Sequence, residues 1–366
     1  MDRRSFLKNA SIGATAAAAT TLAAPAVRAQ TTTEMVIVST WPRDFPGVGT
    51  SAQRLAKRIS ELTEGRIATQ YYAAGERVGA FDSFDEVASG NAQAYLGADY
   101  YWKGKNPAWA FFTAVPFGLT YTEIDAWMKF GGGQALWDEL GDEFGLKCMA
   151  AGNTGSQMGG WFNKEVNTAD DLKGLKMRMP GLGGDVLAKL GASPVSLPGG
   201  QIYENLVSGA IDATEWIGPW NDYYLKLYEA AKYYYYPGFH EPGSQLSLGM
   251  NKSWYSKLPD IDKQIIEAAC MEENGKQMAE TNWNNGIFLD KLTNEHGVKL
   301  RKFSDEIYDA FGKASDEVFQ EAIETNDITK RTYESFVAAR SNVGRWMLLA
   351  DTGYTEMRNR VLGISV

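Results

Sequence analysis

Twice along the chain, short apolar or aromatic runs alternate with segments of helical period, and beyond Pro259 only the helical pattern remains. That rhythm constrains the fold more than any other feature. Strand–helix–strand alternation builds parallel sheets covered on both faces, because a parallel crossover needs a connecting element to carry the chain back. In the first half, runs at 35–38, 67–72 and 92–96 predict strands, with helices over 51–64 and 81–89 between them. Leu55, Ile59 and Leu62 recur at helical spacing, and Gly65 is a natural stop. More helix is expected over 123–144, weakened at Gly131-Gly132-Gly133, before a strand at 146–150.

The middle of the chain repeats the pattern. Strands are expected at 158–162, 175–179, 193–196 and 233–236, and helices at 184–190 and 201–208. A run at 246–250 reads as a strand returning to the first unit. With 366 residues, two domains are the natural division. The expected architecture is a two-lobed, hinged α/β clamshell. Lobe I would comprise 30–152 and 243–255, and lobe II 153–242, the chain crossing near Gly152-Asn153-Thr154-Gly155. A helix over 259–292 would be roughly 50 Å long and could brace both lobes. Ile261, Ile265, Ala269, Trp283 and Ile287 mark its expected apolar edge. Residues 303–366 form a helical tail whose Tyr333, Phe336, Val337, Val343, Trp346 and Met347 need a cover, from the chain itself or from a second copy. A ligand would sit in the cleft, near the C-terminal ends of the parallel strands.

The first twenty-nine residues read as an address. Arg3-Arg4 with Phe6 and Leu7, a weakly apolar stretch over 12–26, and Val27-Arg28-Ala29 form a twin-arginine export signal with a small-residue cleavage site. Its removal would leave 32 basic and 44 acidic residues, a net charge of −12 against −9 for the whole chain. That balance excludes a globally basic nucleic-acid footprint. No later stretch reaches 18 apolar residues without charges, so the exported chain is not expected to be membrane-embedded. Two Cys and two His rule out a four-thiolate site and leave little for a multi-histidine centre. Cys148 and Cys270 read as small buried hydrophobes more readily than as a disulfide.

Few residues offer chemistry. Arg178 sits in the strand-like run Met177-Arg178-Met179, where a guanidinium cannot stay dry and unpaired. Two readings fit: a bidentate grip on a ligand carboxylate, or an internal ion pair. Glu215 stands beside Trp216 and near Trp220, an apolar setting in which a carboxylate wants a cation or several donors. Gln157 and Glu241 could add hard oxygens of the kind Ca²⁺ accepts, and Na⁺ on the same grounds. Equally, both indoles could be core and Glu241 a loop cap. The runs Tyr100-Tyr101-Trp102, Tyr223-Tyr224 and Tyr233-Tyr234-Tyr235-Tyr236 suit either packing or the wrapping of a small polar molecule. G-x-S-x-G, H-E-x-x-H and Walker A motifs are missing from the sequence. His240, a lone loop residue without a nucleophile partner, reads as structural.

These residues also carry a resemblance. Gly152-Asn153-Thr154-Gly155-x-Gln157-Met158-Gly159-Gly160-Trp161-Phe162, Leu172-x-Gly174-Leu175-Lys176-Met177-Arg178, Ile211-Asp212-Ala213-Thr214-Glu215-Trp216-x-Gly218-Pro219 and Tyr233-Tyr234-Tyr235-Tyr236-Pro237-Gly238 resemble the solute-binding proteins of tripartite ATP-independent periplasmic (TRAP) transporters. Within these the chain is most similar to the 2-oxoacid-binding branch. The resemblance implies a two-lobed receptor that closes on an organic anion and hands it to membrane permease subunits. It implies a salt bridge from Arg178 to the ligand carboxylate. A bridging Na⁺ or Ca²⁺ is implied on Gln157, Glu215, Glu241 and the backbone carbonyl of Trp216. Tyr101, Asn153 and, less directly, Asn221 match positions near the ligand. A homodimer made by exchanging a terminal helix is also implied. The rival expectation is a metal-assisted periplasmic enzyme acting on small acids, with His240, Glu215 or Glu241 as its acid or base.

Overall fold

The computed structural model describes residues 32–365, and the expected export signal lies outside them. Two sheets organise the chain. The first contains β1 (Thr33–Ser39), β2 (Ile67–Tyr72), β3 (Ala94–Gly97), β4 (Leu146–Asn153) and β10 (Gln245–Asn251), in the order β2-β1-β3-β10-β4. β1 lies parallel to both β2 and β3, with Ile37 opposite Tyr71 on one side and Ala94 on the other. β10 runs antiparallel to β3 and β4, so the expected returning strand closes this sheet.

The second sheet contains β5 (Gly160–Phe162), β6 (Lys176–Arg178), β7 (Ser193–Val195), β8 (Ala213–Thr214), β9 (Tyr233–Tyr236) and β11 (Lys299–Lys302), in the order β11-β9-β5-β8-β6-β7. β6 is held in parallel between β7 and β8, which puts Arg178 at its C-terminal end opposite Val195 and Thr214. The architecture is a two-lobed α/β clamshell, as the alternation predicts.

Helices α1 (Val48–Leu62) and α2 (Ser83–Ala88) follow β1 and β2. The stretch expected as one helix over 123–144 is two, α3 (Tyr121–Phe130) and α4 (Gly133–Glu143). Gly132 breaks it with φ of 87°, a conformation glycine adopts without cost. In the second lobe, α5 (Gly181–Lys189), α6 (Gly199–Val207) and α7 (Pro219–Tyr224) follow β6, β7 and β8.

Each lobe is locked by a buried aspartate among aromatic donors. In the first, Asp99 accepts from Tyr95 Oη at 3.0 Å and Trp137 Nε1 at 2.9 Å, and also from Ser247. In the second, Asp222 accepts from Trp161 Nε1 at 2.8 Å and Tyr234 Oη at 2.7 Å. Trp161 stacks on Tyr234 at 4.0 Å and Phe303 on Tyr235 at 4.8 Å, so these two tyrosines of the β9 run pack the lobe's core. Cys148 and Cys270 are buried free thiols.

The long helix α8 (Asp260–Asp290) has 31 residues, about 46 Å at the usual rise. It packs on α1 and β4 of the first lobe and on α7 of the second. Its inner face differs from the expected one. Of the expected edge Ala269 is buried and Ile265 half-buried, but Ile261, Trp283 and Ile287 are exposed, and Ile266, Cys270, Glu273, Gln277 and Thr281 are buried in their place. Polar pairing explains the reversal: Glu273 accepts from Ser51 Oγ at 2.7 Å and from Arg54 Nε at 2.9 Å, both on α1. The tail forms α9 (Asp305–Ile323), α10 (Asp327–Met347) and α11 (Gly353–Leu362). Ile328, Thr332 and Phe336 of α10 are buried, but Trp346, Leu349, Met357, Val361 and Leu362 are exposed. No described helix is long and apolar enough to cross a membrane.

Candidate functional site

The C-terminal ends of strands from both sheets converge where the lobes meet. Trp41 follows β1, and Tyr100 and Tyr101 follow β3; facing them are Trp216 and Ile217 after β8, with Glu241 after β9. Together with Thr154, Gln157 and Ser244 of the crossing segments, these residues enclose a small cavity. It has room for about one water molecule. The lobes are shut, and a carboxylic acid enters only if they part. Outside it, a groove of about 500 Å³ opens between Tyr101 and Lys103 of the first lobe and Pro180, Gly181 and Asp185 of the second. Lys103 and Asp185 pair across that mouth.

Arg178 is fully buried at the end of β6. Its Nε donates to the Leu197 carbonyl at 3.1 Å and Nη1 to the Glu215 carbonyl at 3.2 Å, while Nη1 also pairs with Glu215 Oε1. Nη2 is buried without a partner. The guanidinium carbon lies 5.2 Å from the Trp216 ring. Burial disfavours its charge, but Glu215, with the nearby tyrosines and Glu241, outweighs it and raises the pKa above the ordinary arginine value. Of the two readings of Arg178, the shut structure displays the internal pair, with one face of the fork left over.

The oxygens are arranged around that pair. Glu215 is fully buried, and its Oε2 has no hydrogen-bond partner. Glu241 Oε2 accepts from Gln157 Nε2 at 2.8 Å and from Ser244, leaving Oε1 unpartnered. Gln157 Nε2 also donates to Thr154 Oγ1 at 3.0 Å, which turns Oε1 away without a partner. Burial first, and Glu215 second, push the Glu241 carboxyl up to about 7. Two carboxylates and an amide oxygen with unused lone pairs, all buried, form a donor set that hard cations fit.

His240, read from the sequence as a structural loop residue or as an acid–base group of the rival enzyme, was not expected among the cation donors. It is buried, both ring nitrogens lack partners, and Nε2 lies 3.4 Å from Glu215 Oε2. The only signal was its place beside Glu241 in a loop bounded by Gly238 and Pro242. The structure draws Tyr101, Gln157, Trp216 and Glu241 to the cavity and sets Arg178 and Glu215 against Trp216. Asn153 and Asn221 stand apart. Asn153 Oδ1 accepts from the Gly155 amide at 2.8 Å, and the Asn221 side chain packs against Gly47. Neither lines the cavity.

The profile of the DctP family, described as bacterial extracellular solute-binding protein, family 7, matches residues 37–326. The chain belongs to this family. A family 7 protein is a periplasmic solute-binding protein and not an enzyme, which sets aside the metal-assisted catalyst. A monocarboxylate 2-oxoacid-binding periplasmic protein of Nostoc sp. is 40% identical over 318 residues, 87% of each chain. Among solved structures, a TRAP periplasmic solute-binding protein from Colwellia psychrerythraea, with bound calcium and pyruvate, is 36% identical with a TM-score of 0.86; the match covers 89% of this chain and 99% of that one. Another from Pseudoalteromonas atlantica, with bound sodium and pyruvate, is 38% identical at the same TM-score of 0.86, with 89% and 99% covered.

Proposed function

We propose that this family 7 protein is a periplasmic receptor for a small 2-oxo monocarboxylate such as pyruvate. It would hold the acid together with Na⁺ or Ca²⁺ and pass it to the permease subunits of a TRAP transporter. The observation that carries the reading is the set of unused buried atoms at the lobe junction: Arg178 Nη2, Gln157 Oε1, Glu215 Oε2 and Glu241 Oε1. Pyruvate with calcium or sodium in the two solved relatives supports the choice of ligand and ion.

Charge explains why the groups belong together. With both ionised, Glu215 and Glu241 outnumber Arg178 by one, and an incoming acid adds a further negative charge to a dry site. A bound cation supplies the compensating charge, with Gln157, Glu215, Glu241 and the Trp216 carbonyl to hold it. Arg178 keeps Nη1 on Glu215 and offers Nη2 to the acid's carboxylate, an edge that lysine does not possess. Tyr101 and Trp216 cover the carbon end and exclude water. Asn153 and Asn221 act indirectly in this reading, by shaping the crossing and the Gly47 contact.

The same reading assigns 30–152 with 243–255 to one lobe, 153–242 to the other, and 1–29 to twin-arginine export. It also assigns the exposed face of α10 and α11 to a homodimer. Isothermal titration of metal-stripped protein tests the core of it. Pyruvate should bind one-to-one with Ca²⁺ or Na⁺ present and at least tenfold more weakly without; no pyruvate binding under either condition would overturn it.

A further inference from the structure

Oxygen donors alone do not account for His240. Its ring adjoins Glu215 and Glu241 of the proposed cation centre, with both nitrogens buried and unpartnered. Donor atoms of Glu215, His240 and Glu241 all fall within 4.8 Å of one another. The 3.4 Å between His240 Nε2 and Glu215 Oε2 makes no aligned hydrogen bond. It is, however, about the N···O edge of a tetrahedron whose metal bonds are roughly 2.0–2.2 Å long. Glu215 Oε1 stays on Arg178 while Oε2 remains free, so an ion on this edge need not break the arginine pair.

We propose that His240 is a nitrogen donor to the centre, so that the site takes borderline divalent ions of the Zn²⁺ class as well as hard ones. This rests on the reading that Glu215 and Glu241 hold a cation. An imidazole nitrogen favours Zn²⁺ and Co²⁺ over Ca²⁺, which prefers oxygen, so one buried histidine sets the ion preference of an otherwise oxygen-lined site. For an ion of the Zn²⁺ class the four donors are the side-chain atoms Gln157 Oε1, Glu215 Oε2, His240 Nε2 and Glu241 Oε1, and the Trp216 carbonyl serves the larger hard ions.

The test is calorimetric titration of the metal-stripped full chain with Zn²⁺ and with Ca²⁺, alongside visible spectra of the Co²⁺ form. Wild type should bind Zn²⁺ at least tenfold more tightly than Ca²⁺. His240→Gln should lower the Zn²⁺ to Ca²⁺ affinity ratio at least tenfold and alter the Co²⁺ spectrum. His296→Gln, at the exposed second histidine, should leave both measurements as in wild type. His240→Asn, with its melting curve, guards against a variant that fails to fold. Equal affinity ratios in wild type and both His240 variants, or failure of wild type to bind Zn²⁺, would overturn the inference. Calcium-dependent pyruvate binding by a wild type that ignores Zn²⁺ would sink this proposal alone. Zn²⁺ binding lost in His240→Gln, with no pyruvate binding under any ion, would sink the receptor reading alone.

Discussion

At the scale of the residue, Arg178 and Glu215 divide one problem between them. A buried guanidinium needs a carboxylate, and the carboxylate it takes still has an oxygen to spare. Arg178→Lys keeps the charge but loses the fork, so pyruvate affinity should fall at least tenfold, about 1.4 kcal/mol, by calorimetry; an unchanged affinity would count against the assigned grip. Asp99 gives a different test, in the first-lobe core. Burial pushes its carboxyl up to about 6 against the pull of Ser247, Tyr95 and Trp137. The folded state therefore holds this proton more tightly than the unfolded chain does. The resulting stability is present below about pH 4 and is lost as pH rises through about 6. Asp99→Asn cannot titrate, so the gap in unfolding free energy between wild type and variant should narrow by up to about 3 kcal/mol from pH 4 to pH 7. Urea denaturation at the two pH values measures it, and a constant gap would contradict the assignment.

At the scale of the element, strand packing leaves little slack. A methyl group added at Gly249 in β10 would meet the Tyr95 ring at 2.2 Å, and Tyr95 is fully buried and tied to Asp99. Gly249→Ala should cost about 1–3 kcal/mol of stability through overpacking, read as a lower urea midpoint. Element order and type were legible in the sequence because each strand run was bounded by turn residues; β2 was expected at its observed limits. The long helix was legible in length but not in orientation. Hydrophobic periodicity chose the edge Ile261, Ile265, Ala269, Trp283 and Ile287, of which Ala269 and, in part, Ile265 are covered, while the face turned inward is ion-paired through Glu273 to Arg54. Such pairing leaves no apolar signature. The candidate site was partly legible for a related reason. Arg178, Glu215 and Gln157 lie in runs with recognisable context, whereas His240 acquires its surroundings only when β8 and the loop after β9 come together. Asn153 and Asn221 entered the expected ligand shell through the resemblance; in the fold Asn153 Oδ1 accepts from the Gly155 amide, while Asn221 Nδ2 is buried against Gly47 without a hydrogen-bond partner.

At the scale of the whole molecule, the shut cleft is held by contacts that opening must break. Lys103 and Asp185 pair across the mouth, both partly exposed. Exposed pairs of this kind contribute roughly 0.2–1 kcal/mol, so Lys103→Ala should speed pyruvate release in stopped flow by up to about fivefold. No change in release would mean that this pair does not latch the lobes. The tail leaves Trp346, Leu349, Met357, Val361 and Leu362 exposed, more apolar surface than an isolated chain normally shows water. On the proposed homodimer, the full chain should sediment as a dimer in analytical ultracentrifugation and a chain lacking residues 353–366 as a monomer; a full chain that sediments as a monomer, or a dimer that survives the truncation, would contradict the proposed interface. A crystal structure grown with pyruvate and Ca²⁺ tests the paired grip on the acid without an intermediary. The acid's carboxylate should lie on Arg178, with the ion between it and the oxygens of Gln157, Glu215 and Glu241. Pyruvate bound elsewhere, with Arg178 still paired to Glu215 alone, would contradict it.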